Sequence, residues 1–306
     1  MRKILVTTYT NPDLDGCACM TAYAELLRRQ GKDAVAGYFG EPQQDAKFGF
    51  EKAGQKLPDK VSGQDYDEVV LVDVSNVQRL DESIDPKKVV EIIDHHEPDL
   101  DDFPSAKAQI EHLGAVATLV AERVKQANQL PSKEVAKTLQ LAILHGTINF
   151  QAKLSTQKDK EMFEWLSSVS LVSQEDIDKF FRMITTFSGT LLDFLRDDFK
   201  DFDVEGVKFG IAAMLIFGLD DFLKKNKQEV LEALEILKQE KSLEYVWFGC
   251  TDLKNASSYF LVPDDKTEKS VAEGLGLSFS NHESRVSEIV LRKENLKQMT
   301  EYLKGK

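Results

Sequence analysis

The sequence predicts an α/β protein, with a parallel sheet covered by helices on both faces in its N-terminal half and a smaller α/β domain behind it. Three observations predict this. Short β-rich runs alternate with stretches of helical period through the first half. Two near-continuous apolar runs, residues 68–74 and 89–94, have the character of strands buried on both faces. The order of elements then changes after a run of small polar residues, Thr-Phe-Ser-Gly-Thr at 186–190.

The first strand is expected at 2–8. Pro12 and the Asp13-Leu14-Asp15-Gly16 segment break it, and 17–30 follows as a helix with apolar residues at Met20, Tyr23, Ala24 and Leu27. A second strand is expected at 33–37. The runs at 68–74 and 89–94 each close on or beside an aspartate. Helices follow at 114–126, 132–144, 158–169 and 173–185, the last opening on a Ser-Gln-Glu-Asp start signal. Beyond the break, strands at 199–202 and 207–216 join through Glu205-Gly206, ahead of a long amphipathic helix at 220–240. Strands at 244–250 and 257–262 and helices at 266–274 and 293–303 complete the second domain. The expected division is 1–186, a linker at 187–190, and 191–306.

A chain of 306 residues is long enough for two domains with separate cores. The opening residues read as a strand and no run of about 20 apolar residues occurs, so a cytoplasmic protein without a membrane span is expected. Three cysteines, Cys17, Cys19 and Cys250, do not make a disulfide framework. Cys17 and Cys19 stand two apart on a helix and point in different directions, so they read as packing residues. A formal charge of -13 disfavours extended nucleic acid as a partner. A short, highly charged substrate would need local cations.

Three separate runs deliver Asp13 and Asp15, then Asp73, then Asp94-His95-His96 to the carboxyl ends of expected strands, where open α/β sheets bind their ligands. Carboxylates suit hard divalent cations, and imidazoles move the preference toward Mn2+, Co2+ or Zn2+. An acid desolvated beside two imidazoles is costly unless metal or hydrogen bonds compensate.

Asn11-Pro12-Asp13-Leu14-Asp15, Leu71-Val72-Asp73 and Asp94-His95-His96 resemble three motifs of the DHH phosphoesterase superfamily. Their order and spacing are similar to those of the manganese-dependent (family II) inorganic pyrophosphatases and their exopolyphosphatase relatives. The stretch from Glu111 to Thr118, and Ala142-Ile143-Leu144 with Thr147 and Phe150, resemble further motifs. Asp198-Phe199-Lys200 and Arg292-Lys293 resemble substrate-binding positions of the DHHA2 domain, which in that family closes over the first. The glycine-rich second domain of the related exonucleases is not found.

The resemblance implies a metal-dependent phosphohydrolase of a small phosphoanhydride or phosphoester, such as pyrophosphate, polyphosphate or a small nucleotide. Asp13, Asp15, Asp73 and His95 would hold divalent metal, with Asp73 bridging two ions. His96 would face the substrate phosphate, Asp94 would orient its neighbours, and Lys200, Arg292 and Lys293 would grip phosphate groups. Mn2+ is the expected ion, with Mg2+ or Co2+ as alternatives, and a homodimer is left open.

Two positions depart from the pattern. Tyr9 stands where the family has a histidine four residues before the first aspartate, and Gly146 stands where its fourth motif has an aspartate. His145 and Asn149, four apart and on one face if helical, are candidates to compensate. The alternative is a catalytically impaired protein of this fold that binds phosphate compounds or a protein partner.

Overall fold

The computed structural model describes residues 2–187 and 189–305 and divides into two compact units, Met1–Phe180 and Phe181–Lys306. The expected linker at 187–190 lies beyond this division, and its Ser188 lies outside the described residues.

The first unit is built on β1 (Lys3–Thr7), α1 (Leu14–Arg29), β2 (Asp33–Tyr38), α2 (Gln44–Ala53), β3 (Asp59–Lys60), β4 (Glu68–Val72), β5 (Val89–Asp94) and β6 (Lys107–Ile110). Four helices follow, α3 (Val116–Gln126), α4 (Lys133–Gly146), α5 (Gln157–Val169) and α6 (Gln174–Ile184), the division between the units falling within the last. The six strands form one sheet in the order β3-β2-β1-β4-β5-β6, and every pairing is parallel.

Side chains alternate across the central strands, so each strand feeds two cores. Ile4, Val6, Val70 and Val72 are buried on the side where α1 and α3 pack. Leu5, Val69, Leu71 and Ile92 point the other way and meet Phe39, Ile84 and Phe103. That second face is closed by loops and short 3-10 helical turns. The connection between β4 and β5 explains this, because Asn76, Asp81 and Asp85 each accept a hydrogen bond from an amide two residues on. Such local bonds compete with helix formation.

The second unit contains α7 (Leu191–Asp198), β7 (Lys200–Val204), β8 (Val207–Ile216), α8 (Leu219–Glu240), β9 (Tyr245–Asp252), β10 (Ser257–Leu261), α9 (Asp265–Leu275), β11 (Glu283–Val286) and α10 (Arg292–Lys304). Its sheet runs β11-β10-β9-β8-β7, with β8 and β9 parallel and the other pairs antiparallel. Leu191, Leu223, Leu234 and Leu237 from α7 and α8 cover one face, and Val271, Leu275, Met299 and Leu303 from α9 and α10 the other.

One buried acid ties the helices of the first unit together. Asp159, fully buried, accepts hydrogen bonds from the Thr118 hydroxyl (2.6 Å), the Gly114 amide (3.2 Å) and the Thr156 amide (2.7 Å). It is also the third residue of a capping box opened by Thr156. It thereby joins the start of α5 to the start of α3 and to the loop before it. Replacing Asp159 by alanine strands several buried donors, and a loss of about 2–4 kcal/mol in unfolding free energy is expected from urea titration. A loss below about 0.5 kcal/mol, the range of ordinary surface changes, would contradict this role.

Candidate metal centre

In the first sheet the chain winds outward from β1 through β2 to β3, then returns to β4 and winds the other way. The reversal leaves a crevice beyond the carboxyl ends of β1 and β4, the position where open α/β sheets bind ligands. Asp13 caps α1 there, its Oδ1 accepting from the Gly16 amide at 3.0 Å. The turn can approach β1 because residue 16 has no side chain: a Cβ would lie 2.8 Å from Thr8 Oγ1 and Cγ2.

Asp15 is buried, and both its oxygens are used. They accept from the amides of Val116 (2.7 Å) and Ala117 (2.8 Å), the first turn of α3, whose own N-cap residue Ala115 offers no side-chain acceptor. A carboxylate is well placed against a helix N-terminus. The Cys19 thiol donates to Asp15 Oδ1 at 3.3 Å, so this cysteine is committed to packing and support.

Asp73 stands one residue past β4 with φ of 59°, a left-handed conformation that non-glycine residues adopt at a cost of about 1–3 kcal/mol. Its amide donates to the Ile93 carbonyl at 2.9 Å. Its side chain is 2% exposed, and Oδ1 has no hydrogen-bond partner among the described residues.

Asp94 ends β5, and its Oδ1 accepts from the His95 amide (2.7 Å), the His96 amide (3.3 Å) and His96 Nδ1 (2.8 Å). His95 Nδ1 lies 2.9 Å from the Leu113 carbonyl oxygen. A carbonyl can only accept, so Nδ1 carries a proton, and when the ring is neutral its other nitrogen is a lone pair. That nitrogen, Nε2, faces Asp73 Oδ1 at 3.6 Å. A lone pair opposite a carboxylate oxygen is unfavourable unless a cation lies between them or a proton neutralises one.

The titration of the group follows from this crowding. Burial pushes Asp15 up to about 6, with His95 pulling it down and Asp13 adding repulsion. Asp73 is held well above the usual carboxylate range by burial and then by the charges of Asp15, Asp13 and Asp94. Burial also works against ionised Asp94, but the hydrogen bonds from His96 and the His95 amide outweigh it and keep its pKa low. His96 is raised by the same bond to Asp94.

Asp73, Asp94, His95 and His96 each offer an atom within 4.8 Å of the others, and this oxygen-and-nitrogen set suits a divalent ion. The orphaned Asp73 oxygen and the aimed His95 nitrogen fit such an ion. His96 Nδ1 is engaged by Asp94, which leaves Nε2 as its free nitrogen. Asp13 and Asp15 fall outside that tight set, yet stand close enough to raise the pKa of Asp73.

The departures from the pattern have a structural counterpart. Tyr9 is buried, and its hydroxyl accepts from the Asp13 amide at 3.2 Å. Its pKa is raised by burial and then by Asp13 and Asp73, so it stays a neutral phenol. Gly146 backs directly onto the loop before α3, where a Cβ would run into the Gly114 carbonyl oxygen and meet Ala115 Cβ at 3.0 Å.

The helical face expected to be shared by His145 and Asn149 is not formed. α4 ends at Gly146, and Ile148, Asn149 and Phe150 all have positive φ. His145 Nδ1 lies 3.5 Å from Asp45 Oδ2, which in turn accepts from the Leu14 amide at 3.0 Å.

In the second unit Arg292 forks onto Asp198, at 2.8 and 3.0 Å. Both line a pocket of about 270 Å³ with Gly249, Thr251 and Leu291. Lys200 and Lys293 are exposed. Asp45 and Asp159 support the site without being foreseen; the Thr156-x-x-Asp159 spacing was the available signal for one, and Asp45 had none.

Comparison with known proteins agrees with this construction. A manganese-dependent inorganic pyrophosphatase of Methanothrix thermoacetophila is 29% identical over 304 residues, 96% of each chain. A probable manganese-dependent inorganic pyrophosphatase of Bacillus licheniformis is 26% identical over the whole of both chains. Among solved structures, a putative family II inorganic pyrophosphatase of Methanococcus jannaschii aligns with a TM-score of 0.60 at 21% identity, covering 99% of this chain and 100% of that one. An exopolyphosphatase-related protein of Bacteroides fragilis aligns at 0.51 and 15% identity, covering 99% and 92%. Residues 3–147 match the DHH family, N-terminal domain, and residues 181–299 the DHHA2 domain, so the chain belongs to the DHH phosphoesterase superfamily and is of the DHH–DHHA2 type.

Proposed function

We propose that this protein is a metal-dependent hydrolase of small phosphoanhydrides, with pyrophosphate and short polyphosphate as its substrate class. The observation that carries the reading is the orphaned Asp73 Oδ1 facing the free nitrogen of His95 at 3.6 Å inside an acidic, buried corner. Asp13, Asp15, Asp73 and His95 are the residues that would hold the metal, and the names of the curated relatives favour Mn2+. A divalent ion bound there would supply positive charge to a phosphoryl group and acidify water for attack.

The chain's own groups divide the remaining work. Asp94 fixes the His96 ring through Nδ1, so His96 presents Nε2 outward from a half-exposed position. Its raised pKa lets it keep a proton there for a phosphate oxygen. Lys200, Arg292 and Lys293 are charge-assisted donors for phosphate groups. A second reading, a catalytically impaired binder of phosphate compounds, is favoured by one observation: Gly146 packs so closely on Gly114 that this backbone leaves no room for a carboxylate.

A phosphate-release panel of pyrophosphate, tripolyphosphate, longer polyphosphate and dinucleotides, each with Mn2+, Mg2+ and Co2+, separates the two. Release from the phosphoanhydrides is expected for the wild-type chain and none for Asp73→Asn. The variant, freed of an acid that must take up a proton in order to be buried, should unfold at a higher temperature than metal-free wild type and gain nothing from Mn2+. Turnover retained in Asp73→Asn would refute the assignment, and metal binding without release from any substrate would favour the binder.

A pH dependence follows from the raised acids. In the metal-free protein Asp15 and Asp73 keep protons at pH values where the aspartates of the unfolded chain, with ordinary pKa values of about 3.9, have already released them. Stability should therefore fall as pH rises from about 4 through about 6, where Asp15 titrates, with Asp73 acting in the same direction. The raised pKa of His96 acts in the same direction at higher pH. Metal needs the acids ionised, so stabilisation by Mn2+ should grow over the same range. Thermal melts at pH 5 and 7 with and without Mn2+ check this, and a Mn2+ shift of equal size at both values would count against it.

A further inference from the structure

One cation beside the metal centre has no partner of its own. Arg79 ends a 3-10 turn, Val77–Arg79, that the Asn76 side chain caps by accepting from the Gln78 amide at 2.9 Å. Its carbonyl accepts from the Thr10 amide at 3.0 Å, which pins the turn to the end of β1. The guanidinium lies over the Tyr9 ring, 4.0 Å from its centroid. Among the described residues it has no ion pair and donates no hydrogen bond, and the side chain is exposed.

Tyr9 thus joins two features through one rigid ring. Its hydroxyl meets the Asp13 amide, and its face carries the guanidinium. The aromatic face is a cation-π surface for the guanidinium. A guanidinium with free donors, held on the face of the ring whose hydroxyl meets the Asp13 amide, is prepared for an anion brought to that edge.

We propose that Arg79, held on the face of Tyr9, is a substrate-binding residue that takes a phosphoryl group of the substrate at the edge of the metal centre. The position where the family pattern has a metal-ligating histidine thereby serves as the platform of a phosphate clamp. The proposal rests on the metal-centre reading above. A planar fork matches two phosphoryl oxygens at once, which a lysine cannot do.

The test is calorimetric titration of the full-length, Mn2+-loaded protein with imidodiphosphate, a non-hydrolysable pyrophosphate analogue, and with inorganic phosphate. Arg79→Ala is expected to weaken imidodiphosphate binding about 10- to 100-fold, the loss of hydrogen bonds to a charged group. Its Mn2+ affinity should stay within about twofold of wild type, since no ligand is removed. Arg79→Lys should fall between the two, and Tyr9→Phe, which keeps the ring, should bind imidodiphosphate better than Arg79→Ala. Imidodiphosphate binding by Arg79→Ala as tight as wild type, or Mn2+ and imidodiphosphate affinities falling together, would overturn the role of Arg79 alone. A wild-type chain that binds no Mn2+ would overturn the metal-centre reading and this inference with it.

Discussion

Three carboxylates, Asp13, Asp15 and Asp73, gather where β1 and β4 end, two of them almost wholly withdrawn from water. Each raises the free energy of ionising its neighbours, and burial adds to that cost. At neutral pH the corner is stable only if protons or a cation compensate. Much of the first unit can be understood as the framework that holds these acids together against their repulsion.

The compensation offered by the protein itself is partial and specific. The start of α3 gives Asp15 two amides, and the turn at β5 gives Asp94 three donors, leaving Asp73 Oδ1 with none. The loop before α3 supplies the Leu113 carbonyl that fixes the His95 ring, and Asp159 and Gly146 hold that loop in place. Tyr9 and Gly146 shape this corner through packing: Gly146 admits the close approach of the Gly114 backbone, and the ring at position 9 carries a guanidinium.

Where the signal was burial, the sequence was legible. The apolar runs of β4 and β5 and the helical period of α1 each appear where expected, and Glu205-Gly206 forms a tight turn with φ of 52° and 82°, as two-residue hairpins require. Less legible were β6, a half-polar edge strand of Lys-Ala-Gln-Ile, and α2, whose pattern is interrupted by Gly49 where the helix packs on Leu14. The gathering of Asp73, Asp94, His95 and His96 followed from acids at strand ends in a parallel sheet. The left-handed backbone of Asp73, the proton on His95 Nδ1 and the stacking of Arg79 on Tyr9 did not, because each depends on a contact between segments far apart in the chain. The shared face of His145 and Asn149 failed for a local reason, the left-handed run that ends α4.

The central claim is that a cation belongs between Asp73 and His95. Anomalous scattering at the manganese edge, from crystals grown with Mn2+, tests it most directly. The account requires a manganese peak within about 2.0–2.3 Å of both Asp73 Oδ1 and His95 Nε2, the spacing of ordinary carboxylate and imidazole ligands to such ions. Fully ordered Asp73 and His95 side chains with no anomalous peak between them at saturating Mn2+ would contradict it.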